Sequence, residues 1–377
     1  MGKRTVFDIK IDFEKSHGSY LVDKNSQREF LDFFGMFSSL PLGYNHKIFD
    51  KSFKKKIENI SKIRMANNLF QSDELYEFEN IFRKYIFSDY THYTCTGALA
   101  VEAAIKCAME YKKVKNPMVL ALDKGFHGIN SWGFVTDRHS SVTERMRHFP
   151  KNSWKNLSIE EVKQHIKNND SGNIVAVVIE AIQCTAGDIY FTPQELLELQ
   201  QLCKKNDICF IVDEIQTGFG VTGTMWYSTK IGIEPDVLVF GKKSQICGIV
   251  AREKYNECMV GPYRKLEVTF DGELIDAVRA AYVLKAYEKY DLLDRANSNS
   301  KLFAEALKDK VLNYRSSGHL IAFDFETPSE RDKFVKDCYD KKLLCNPTAE
   351  KTVRMRPNMA VSMREISHFR EIIDSVL

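Results

Sequence analysis

The segment PDVLVFGKKSQICG, residues 235–248, decides how this sequence folds. Its four apolar residues, Val237 to Phe240, are typical of a short buried strand, and a glycine and two adjacent lysines follow them. Moving an unpaired ammonium group out of water is costly, so a buried strand should not end in two charges without a reason. Lys242 and Lys243 therefore mark this strand end as a candidate functional position, and the two need not be equivalent.

Short apolar runs of the same kind recur along the chain and alternate with helix-like segments. The apolar runs are PMVLAL (117–122), IVAVVIEAI (174–182) and ICFIVDEI (208–215), and helical patterns occupy residues 98–114 and 192–207. This alternation predicts a parallel sheet with helices on both faces. We expect an α/β protein with a large, doubly wound, mainly parallel sheet domain at residues 45–290. Residues 1–44 and 291–377 should form a smaller α+β domain.

The composition excludes several classes of protein. The 54 basic and 51 acidic side chains of the 377 residues leave a formal net charge of +3, whereas proteins that bind nucleic acids usually concentrate positive charge. The nine cysteines are scattered without a CxxC pair, which predicts reduced thiols and no metal site. The sequence has neither the apolar core of a signal peptide nor a run of 18 apolar residues. We therefore expect a cytoplasmic protein without membrane contact.

Ionisable residues stand at the carboxyl ends of three predicted strands. They are Glu180, Asp213 and Lys242, and ligands of doubly wound sheets bind at that edge. A Walker A loop would need a glycine at position 236, which is an aspartate, and no GxGxxG motif follows a first strand. Each acid alone could be structural, for example as a helix cap. The three residues together indicate a site.

A lysine and a carboxylate at neighbouring strand ends suit pyridoxal phosphate. The lysine can bind the cofactor aldehyde covalently, because removal from water lowers its pKa and leaves a free amine. The carboxylate can pair with the ring nitrogen and keep it protonated, so that the ring accepts electrons. Helix N-termini bind phosphate through backbone N–H groups, and Thr96, Gly97 and Ala98 open the alanine-rich helix. Phe126 and Ile215 could cover the two faces of the ring.

Two motifs carry a family resemblance. DEIQTGFGVTG, residues 213–223, together with EPDVLVFGKK, residues 234–243, resembles the class III aminotransferase signature D-E-[VI]-Q-x-G-x-G-x-x-G…P-D-x-x-x-x-x-K. The resemblance runs nearly end to end, and within the family the sequence is most similar to the branch that acts on the ε-amino group of lysine. It implies the fold-type I architecture of pyridoxal-phosphate enzymes and a transaminase activity.

The resemblance also implies a role for each residue of the predicted cofactor site. Lys242 should bind the cofactor and then serve as the catalytic base, and Asp213 should hold the ring nitrogen. Gln216 should contact the phenolic oxygen. Gly97 and Ala98 should bind the phosphate, and Phe126 should stack on the ring. Thr269, in VTFDGEL, should reach the phosphate of the partner subunit, which implies a symmetric homodimer. Lys243 is interpreted as a solvated or salt-bridged neighbour.

The residues expected to recognise the substrate depart from the family. Arg354, in TVRMRP, matches the family arginine that clamps a substrate carboxylate, and Arg356 is interpreted as a surface ion pair. Thr185 stands where relatives have a glutamate that covers this arginine during the amine half-reaction, and Ile129 replaces an arginine. A threonine cannot neutralise a guanidinium. We therefore hypothesise that the amine is not lysine held in the family manner.

The predicted function is transfer of an amino group from a primary, terminal amine or ω-amino acid to a 2-oxo acid such as 2-oxoglutarate. The amine is expected to be lysine-like or a variant of lysine. Two alternatives stay open: a pyridoxal-phosphate aminomutase or decarboxylase of the same fold, and a cofactor-binding protein without catalysis. The expected partners are the small-molecule substrates and a second copy of the chain, with no nucleic acid and no metal.

Overall fold

The computed structural model describes residues 7–65, 70–130, 154–168 and 172–377. In chain order, its strands are β1 (Tyr20–Val22), β2 (Glu29–Asp32), β3 (Thr91–Thr94), β4 (Met118–Leu122), β5 (Lys155–Leu157), β6 (Ile174–Ile179), β7 (Ile182–Gln183), β8 (Ile189–Tyr190), β9 (Cys209–Asp213), β10 (Val237–Phe240), β11 (Cys247–Ala251), β12 (Leu312–Ser317), β13 (Leu320–Asp324), β14 (Leu343–Leu344), β15 (Asn346–Thr348) and β16 (Thr352–Met355). Its helices are α1 (Lys51–Ile60), α2 (Asp73–Phe82), α3 (Gly97–Lys112), α4 (Ile159–Lys167), α5 (Pro193–Lys205), α6 (Tyr227–Ile231), α7 (Glu257–Val260), α8 (Leu274–Lys289), α9 (Leu292–Leu307), α10 (Pro328–Asp340) and α11 (Met363–Val376). None of the helices in these ranges combines the length and the apolar character that crossing a bilayer requires.

A seven-stranded sheet forms the centre of the fold, with the strand order β3-β11-β10-β9-β6-β4-β5. The pairs β10–β9, β9–β6, β6–β4 and β4–β5 are parallel, whereas β11 runs antiparallel to both of its neighbours. The predicted crossover helix is α5, which begins after a Thr192 N-cap with Pro193 in its first turn. The mainly parallel α/β architecture predicted from the alternating pattern is confirmed.

Alternate residues of the central strands supply separate hydrophobic cores on the two faces of this sheet. Val212 and Leu238 belong to a core that includes residues of α5 and α8, whereas Ile211 and Val239 belong to a core that includes α3. Burying an aliphatic side chain of this size stabilises the fold by about 1.5–3 kcal/mol relative to exposure. Helices therefore cover both faces, and the positions of the strand ends are fixed by packing.

A second, antiparallel sheet follows α9 in the chain, with the order β12-β13-β16-β15. It shares a core with α9, α10 and α11, in which Phe303, Phe334 and Phe369 are buried. The N-terminal hairpin β1–β2 joins this part through parallel pairing of β2 with β14. This pairing agrees with a small unit built from both termini, while the domain division at 44/45 and 290/291 stays a prediction.

Residues Gly35–Ser38 form a single turn in which all four residues have positive φ, between 48° and 75°. Such left-handed geometry is uncommon for residues other than glycine. The turn is joined to the segment after β10, because Lys243 Nζ donates a hydrogen bond to Ser38 Oγ and Gln245 Nε2 donates to the Ser39 carbonyl at 2.8 Å. The N-terminal segment therefore braces the strand end from which the sequence analysis started.

Candidate active site

A cavity of about 210 Å³ lies where β6, β9 and β10 end. This is the edge at which doubly wound sheets bind ligands. Seven predicted residues line it together: Gly97, Ala98, Phe126, Asp213, Ile215, Gln216 and Lys242. The other lining residues are His127, Gly128, Glu180 and Cys247. The predicted residues Thr96, Thr269 and Arg354 lie outside this set.

Asp213 ends β9 and is buried in the cavity wall. Its Oδ1 accepts a hydrogen bond from the Ile215 amide at 3.0 Å, and its Oδ2 lies 2.8 Å from His127 Nδ1. Burial lowers the pKa of His127, but the hydrogen bond and the negative charge of Asp213 outweigh burial, so the net shift is upward. The contact with His127 therefore fixes the orientation of the Asp213 carboxylate. This contact was missed from sequence, although His127 directly follows a predicted site residue.

Glu180 follows β6 and is buried close to the same wall. Its Oε2 accepts a hydrogen bond from the Phe126 amide at 2.8 Å. Burial raises the pKa of Glu180 to about 7, with the charge of His127 opposing the shift and that of Asp213 adding to it. A carboxyl group with this pKa is partly protonated near neutral pH. The negative charge of Glu180 therefore balances the positive charge of neighbouring side chains only in part.

Lys242 follows Gly241 at the end of β10 and begins a short 3₁₀ turn, Lys242–Ser244. Burial lowers the pKa of Lys242, although the negative charges of Asp213 and Glu180 act in the opposite direction. Within the part of the chain that the structure describes, its Nζ has no hydrogen-bond acceptor. A lowered pKa favours the neutral form of the amine, which is the form that can attack an aldehyde.

The interpretation of Lys243 as a solvated or salt-bridged neighbour was wrong. Its side chain is only 2% exposed, and its Nζ donates to Ser38 Oγ. Burial lowers the pKa of Lys243 well below its usual value, and the positive charges of Arg356 and Lys242 lower it further. The physical reason is local: residues 242–244 form a 3₁₀ turn, so the alternation of an extended strand does not apply to them.

Helix α3 begins at Gly97, in the cavity wall. Thr96 is its N-cap, and the Thr96 side chain accepts a hydrogen bond from an amide of the first turn at 3.3 Å. A Cβ at Gly97 would come within 2.6 Å of Ile215, and a Cβ at Gly128 within 2.7 Å of Ala98. The two glycines therefore allow close packing around the N–H groups of the first turn, which is the geometry of an anion site.

Thr269 lies on an exposed loop, outside the cavity of its own chain. Its neighbours Val268 and Phe270 are apolar and 53% and 41% exposed, and the Arg64 guanidinium lies 4.4 Å from the centre of the Phe270 ring. The Phe270 carbonyl accepts a hydrogen bond from Cys95 Sγ at 3.1 Å, which places the loop next to the start of α3. The role of Thr269 at a partner's phosphate stays a prediction.

Two buried arginines, Arg354 in β16 and Arg356 just after it, contact the turn between β7 and β8. Arg354 Nη1 donates to the Cys184 carbonyl at 2.6 Å, and burial lowers the pKa of Arg354 to about 10 with help from the charge of Arg356. The prediction that Arg356 forms an ion pair at the surface was wrong. Its Nη2 pairs with Asp188 Oδ1 at 2.5 Å in the interior. Arg356 Nε also lies 3.5 Å from Gln216 Oε1, which links this ion pair to the cavity wall.

Comparisons with known proteins decide the family. The family model described as aminotransferase class III matches residues 1–377, which is the whole sequence. The chain belongs to the class III aminotransferases. The resemblance inferred from residues 213–223 and 234–243 is confirmed.

This class III aminotransferase is similar to L-lysine-epsilon aminotransferases over nearly its full length. It is 30% identical to that of Mycobacterium tuberculosis, with 95% of this chain and 89% of the relative covered. It is 27% identical to that of Streptomyces clavuligerus, with 98% and 90% covered. The solved structure of lysine aminotransferase from M. tuberculosis, in the internal aldimine form, matches with a TM-score of 0.93 at 27% identity, covering 100% of this chain and 96% of the other. The fold-type I architecture is therefore confirmed, whereas the roles of the individual site residues stay predictions.

Proposed function

We propose that this class III aminotransferase transfers the amino group of a terminal, lysine-like amine or ω-amino acid to a 2-oxo acid such as 2-oxoglutarate. The amine becomes an aldehyde and the 2-oxo acid becomes an amino acid, so the reaction balances without a further reactant. The observation that carries the proposal is Lys242, whose amine has a lowered pKa and lines a cavity together with Asp213 and the start of α3. The L-lysine-epsilon aminotransferases to which the chain is similar support the substrate class.

We propose pyridoxal phosphate as the cofactor, because the residues of the cavity fit its parts. The start of α3 offers free backbone N–H groups and the positive end of a helix dipole to the phosphate. Asp213, which contacts His127, suits the ring nitrogen, and Gln216 lines the same cavity and suits the phenolic oxygen. Phe126 and Ile215 supply apolar surface for the faces of the ring.

The chain's own residues would divide the work as follows. When bound, pyridoxal phosphate supplies the aldehyde that takes up the amino group and a ring that accepts electrons from the substrate carbon. Lys242 would hold the cofactor between turnovers and, once released, move the proton from the substrate carbon. Its lowered pKa serves both tasks, because only the neutral amine is nucleophilic and basic. Asp213 would keep a proton at the ring nitrogen, and the contact with His127 would hold it in place.

Assembly and location are proposals of the same kind. We propose a symmetric homodimer in which Thr269 contacts the phosphate site of the partner subunit. The loop around it exposes Val268, Phe270 and, with 81% exposure, Tyr263, and clustered apolar side chains of this kind mark interaction surfaces. All nine cysteines are thiols without a disulfide, which supports a cytoplasmic location.

The test is a two-step reaction of the purified protein loaded with pyridoxal phosphate. Terminal amines and ω-amino acids, L-lysine among them, should convert the cofactor to its amine form, which absorbs at a different wavelength, and 2-oxoglutarate should then restore the aldehyde form with release of glutamate. Release of carbon dioxide, or an amino shift without consumption of the oxo acid, would contradict transamination. A wide preference for L-lysine over every other donor would contradict the hypothesis drawn from Thr185 and Ile129.

A further inference from the structure

The guanidinium of Arg354 is buried without a carboxylate partner among the described residues. The two acids whose charges act on it are engaged elsewhere: Asp188 pairs with Arg356, and Glu180 accepts a hydrogen bond from backbone. Glu180 is also partly protonated, because burial raises its pKa to about 7. A buried cation without a counter-ion is costly, and a site of this kind recovers that cost when an anion binds.

A neutral amide covers the guanidinium. Asn346 in β15 is the cross-strand partner of Arg354 in β16. Its amide is oriented by hydrogen bonding, with Oδ1 accepting from Arg354 Nε at 3.2 Å and from Nη2 at 2.5 Å. Together with the Cys184 carbonyl on Nη1, these contacts fix the plane of the guanidinium through neutral oxygens only. N–H donors remain on both terminal nitrogens for a ligand.

The turn between β7 and β8 completes this cover, and it is fixed to the second sheet through its backbone. Thr348 Oγ1 donates to the Thr185 carbonyl at 2.7 Å, and Arg315 Nε donates to the carbonyls of Gly187 at 2.9 Å and Asp188 at 3.1 Å. Because carbonyl groups make these bonds, they hold the turn regardless of the side chain at position 185. The groups that accept hydrogen bonds from the guanidinium are therefore neutral, and backbone hydrogen bonds hold the turn in place.

We propose that Asn346 is a specificity-determining residue, which holds Arg354 in place and leaves its charge uncompensated. The site would then select carboxylate-bearing molecules both as amino donor and as amino acceptor. This inference rests on the proposed function, in which Arg354 binds a substrate carboxylate. A carboxylate makes charge-assisted hydrogen bonds to the guanidinium. An amine without a carboxylate excludes water from the guanidinium but offers no anion in return, and is rejected for that reason.

Pairs of substrates that differ only in a carboxylate test the selection directly. The donor pairs are L-lysine with cadaverine and L-ornithine with putrescine, and the acceptor pair is 2-oxoglutarate with 2-oxobutyrate, which lacks only the carboxylate distant from the reacting carbon. We expect kcat/KM for the member of each pair that carries the additional carboxylate to be at least tenfold higher than for its counterpart. Equal values within a donor pair would overturn the proposal.

The role of Asn346 is tested by binding, without turnover. Asn346→Asp places an anion on the guanidinium, and we expect it to raise the Kd of glutarate, an inert dicarboxylate, at least tenfold in the protein loaded with pyridoxal phosphate. The matched control is Asn116→Asp, the same charge change at an exposed position in the loop before β4, at the opposite edge of the sheet. It should bind glutarate as the parent protein does.

Two outcomes would contradict this role. An unchanged glutarate Kd in Asn346→Asp would show that the charge at this position does not govern the arginine. Asn346→Ser removes the amide but stays neutral. If this variant binds glutarate tenfold more weakly, the role of Asn346 is purely structural. The serine variant can also be measured if the aspartate variant fails to fold. If the parent protein shows no turnover but the variants change the glutarate Kd as expected, the result would count against the proposed function and would support this inference.

Discussion

Two regions of the candidate site are built by different physical means: the cavity wall around Lys242, the proposed cofactor side, and the surroundings of Arg354, the proposed substrate side. On the cofactor side, ionisable groups meet one another, since Asp213 contacts His127 and the charges of Asp213 and Glu180 act on the pKa of Lys242. On the substrate side, the hydrogen-bond acceptors of the buried guanidinium among the described residues are a carbonyl and an amide. The first arrangement lowers the pKa of the amine that is proposed to exchange protons, whereas the second would keep a fixed charge available to a ligand. Chemistry and recognition are therefore separated in this site.

The largest effect is expected on the cofactor side. Lys242→Ala removes the amine that would bind the cofactor and move the proton, so we expect turnover to fall by about 10³-fold or more, in line with the loss of a catalytic base. The measurement is the rate of glutamate formation, together with mass spectrometry of the borohydride-reduced protein, which should find the cofactor attached to residue 242 in the parent only. Attachment of the cofactor to another side chain in the parent would contradict the proposed role of Lys242 and the assignment of the cofactor side.

An intermediate effect is expected on the substrate side. Arg354→Lys keeps the charge but loses the planar, two-pronged donor. A hydrogen bond to a charged group contributes about 1.5–3 kcal/mol, so KM for 2-oxoglutarate should rise about 10- to 100-fold while kcat changes little. Steady-state kinetics measure both, and the absorbance of the bound cofactor should stay as in the parent. A loss of kcat with an unchanged KM would mean that the two sides are not separate.

The smallest effect concerns Lys243, which belongs to neither side. Burial lowers its pKa in the folded protein, whereas the pKa in the unfolded chain is about 10.4. Between these two values the unfolded chain binds a proton that the folded protein does not, so the free energy of unfolding rises with pH, by at most about 1.4 kcal/mol per unit.

Lys243→Met should abolish this rise, and kcat should stay within about threefold of the parent. Thermal unfolding midpoints of parent and variant between pH 6 and pH 10 measure the difference. Parallel pH profiles would show that Lys243 is protonated in the folded protein, which would oppose the burial argument.

The cofactor side could be predicted from sequence because its residues are local to strand ends. Lys242 and Asp213 each follow an apolar run directly, and parallel pairing of β9 with β10 brings those ends together. The N-terminus of α3 has its own signals, with a threonine cap and a glycine before an alanine-rich helix. These local patterns also predict the central sheet, whose mostly parallel sense agrees with the alternation of strands and helices.

The contacts that could not be predicted join parts of the chain that are far apart in sequence. Asn346 contacts Arg354 through strand register, and the Cys184 carbonyl reaches the same arginine from the turn between β7 and β8. Lys243 was misjudged because an extended segment was assumed where a tight turn exists, and its partner Ser38 lies near the opposite end of the chain. No residue pattern near any of these positions encodes its partner.

The left-handed turn at Gly35–Ser38 couples the beginning of the chain to the cofactor lysine. Each of its three non-glycine residues costs about 1–2 kcal/mol in this conformation, so the turn persists only while tertiary contacts outweigh that local preference. Two of those contacts, from Lys243 and Gln245, come from the four residues that begin with Lys242. If a ligand bound at Lys242 holds this segment in place, it should also slow amide hydrogen exchange in residues 35–39, because the two segments share these contacts.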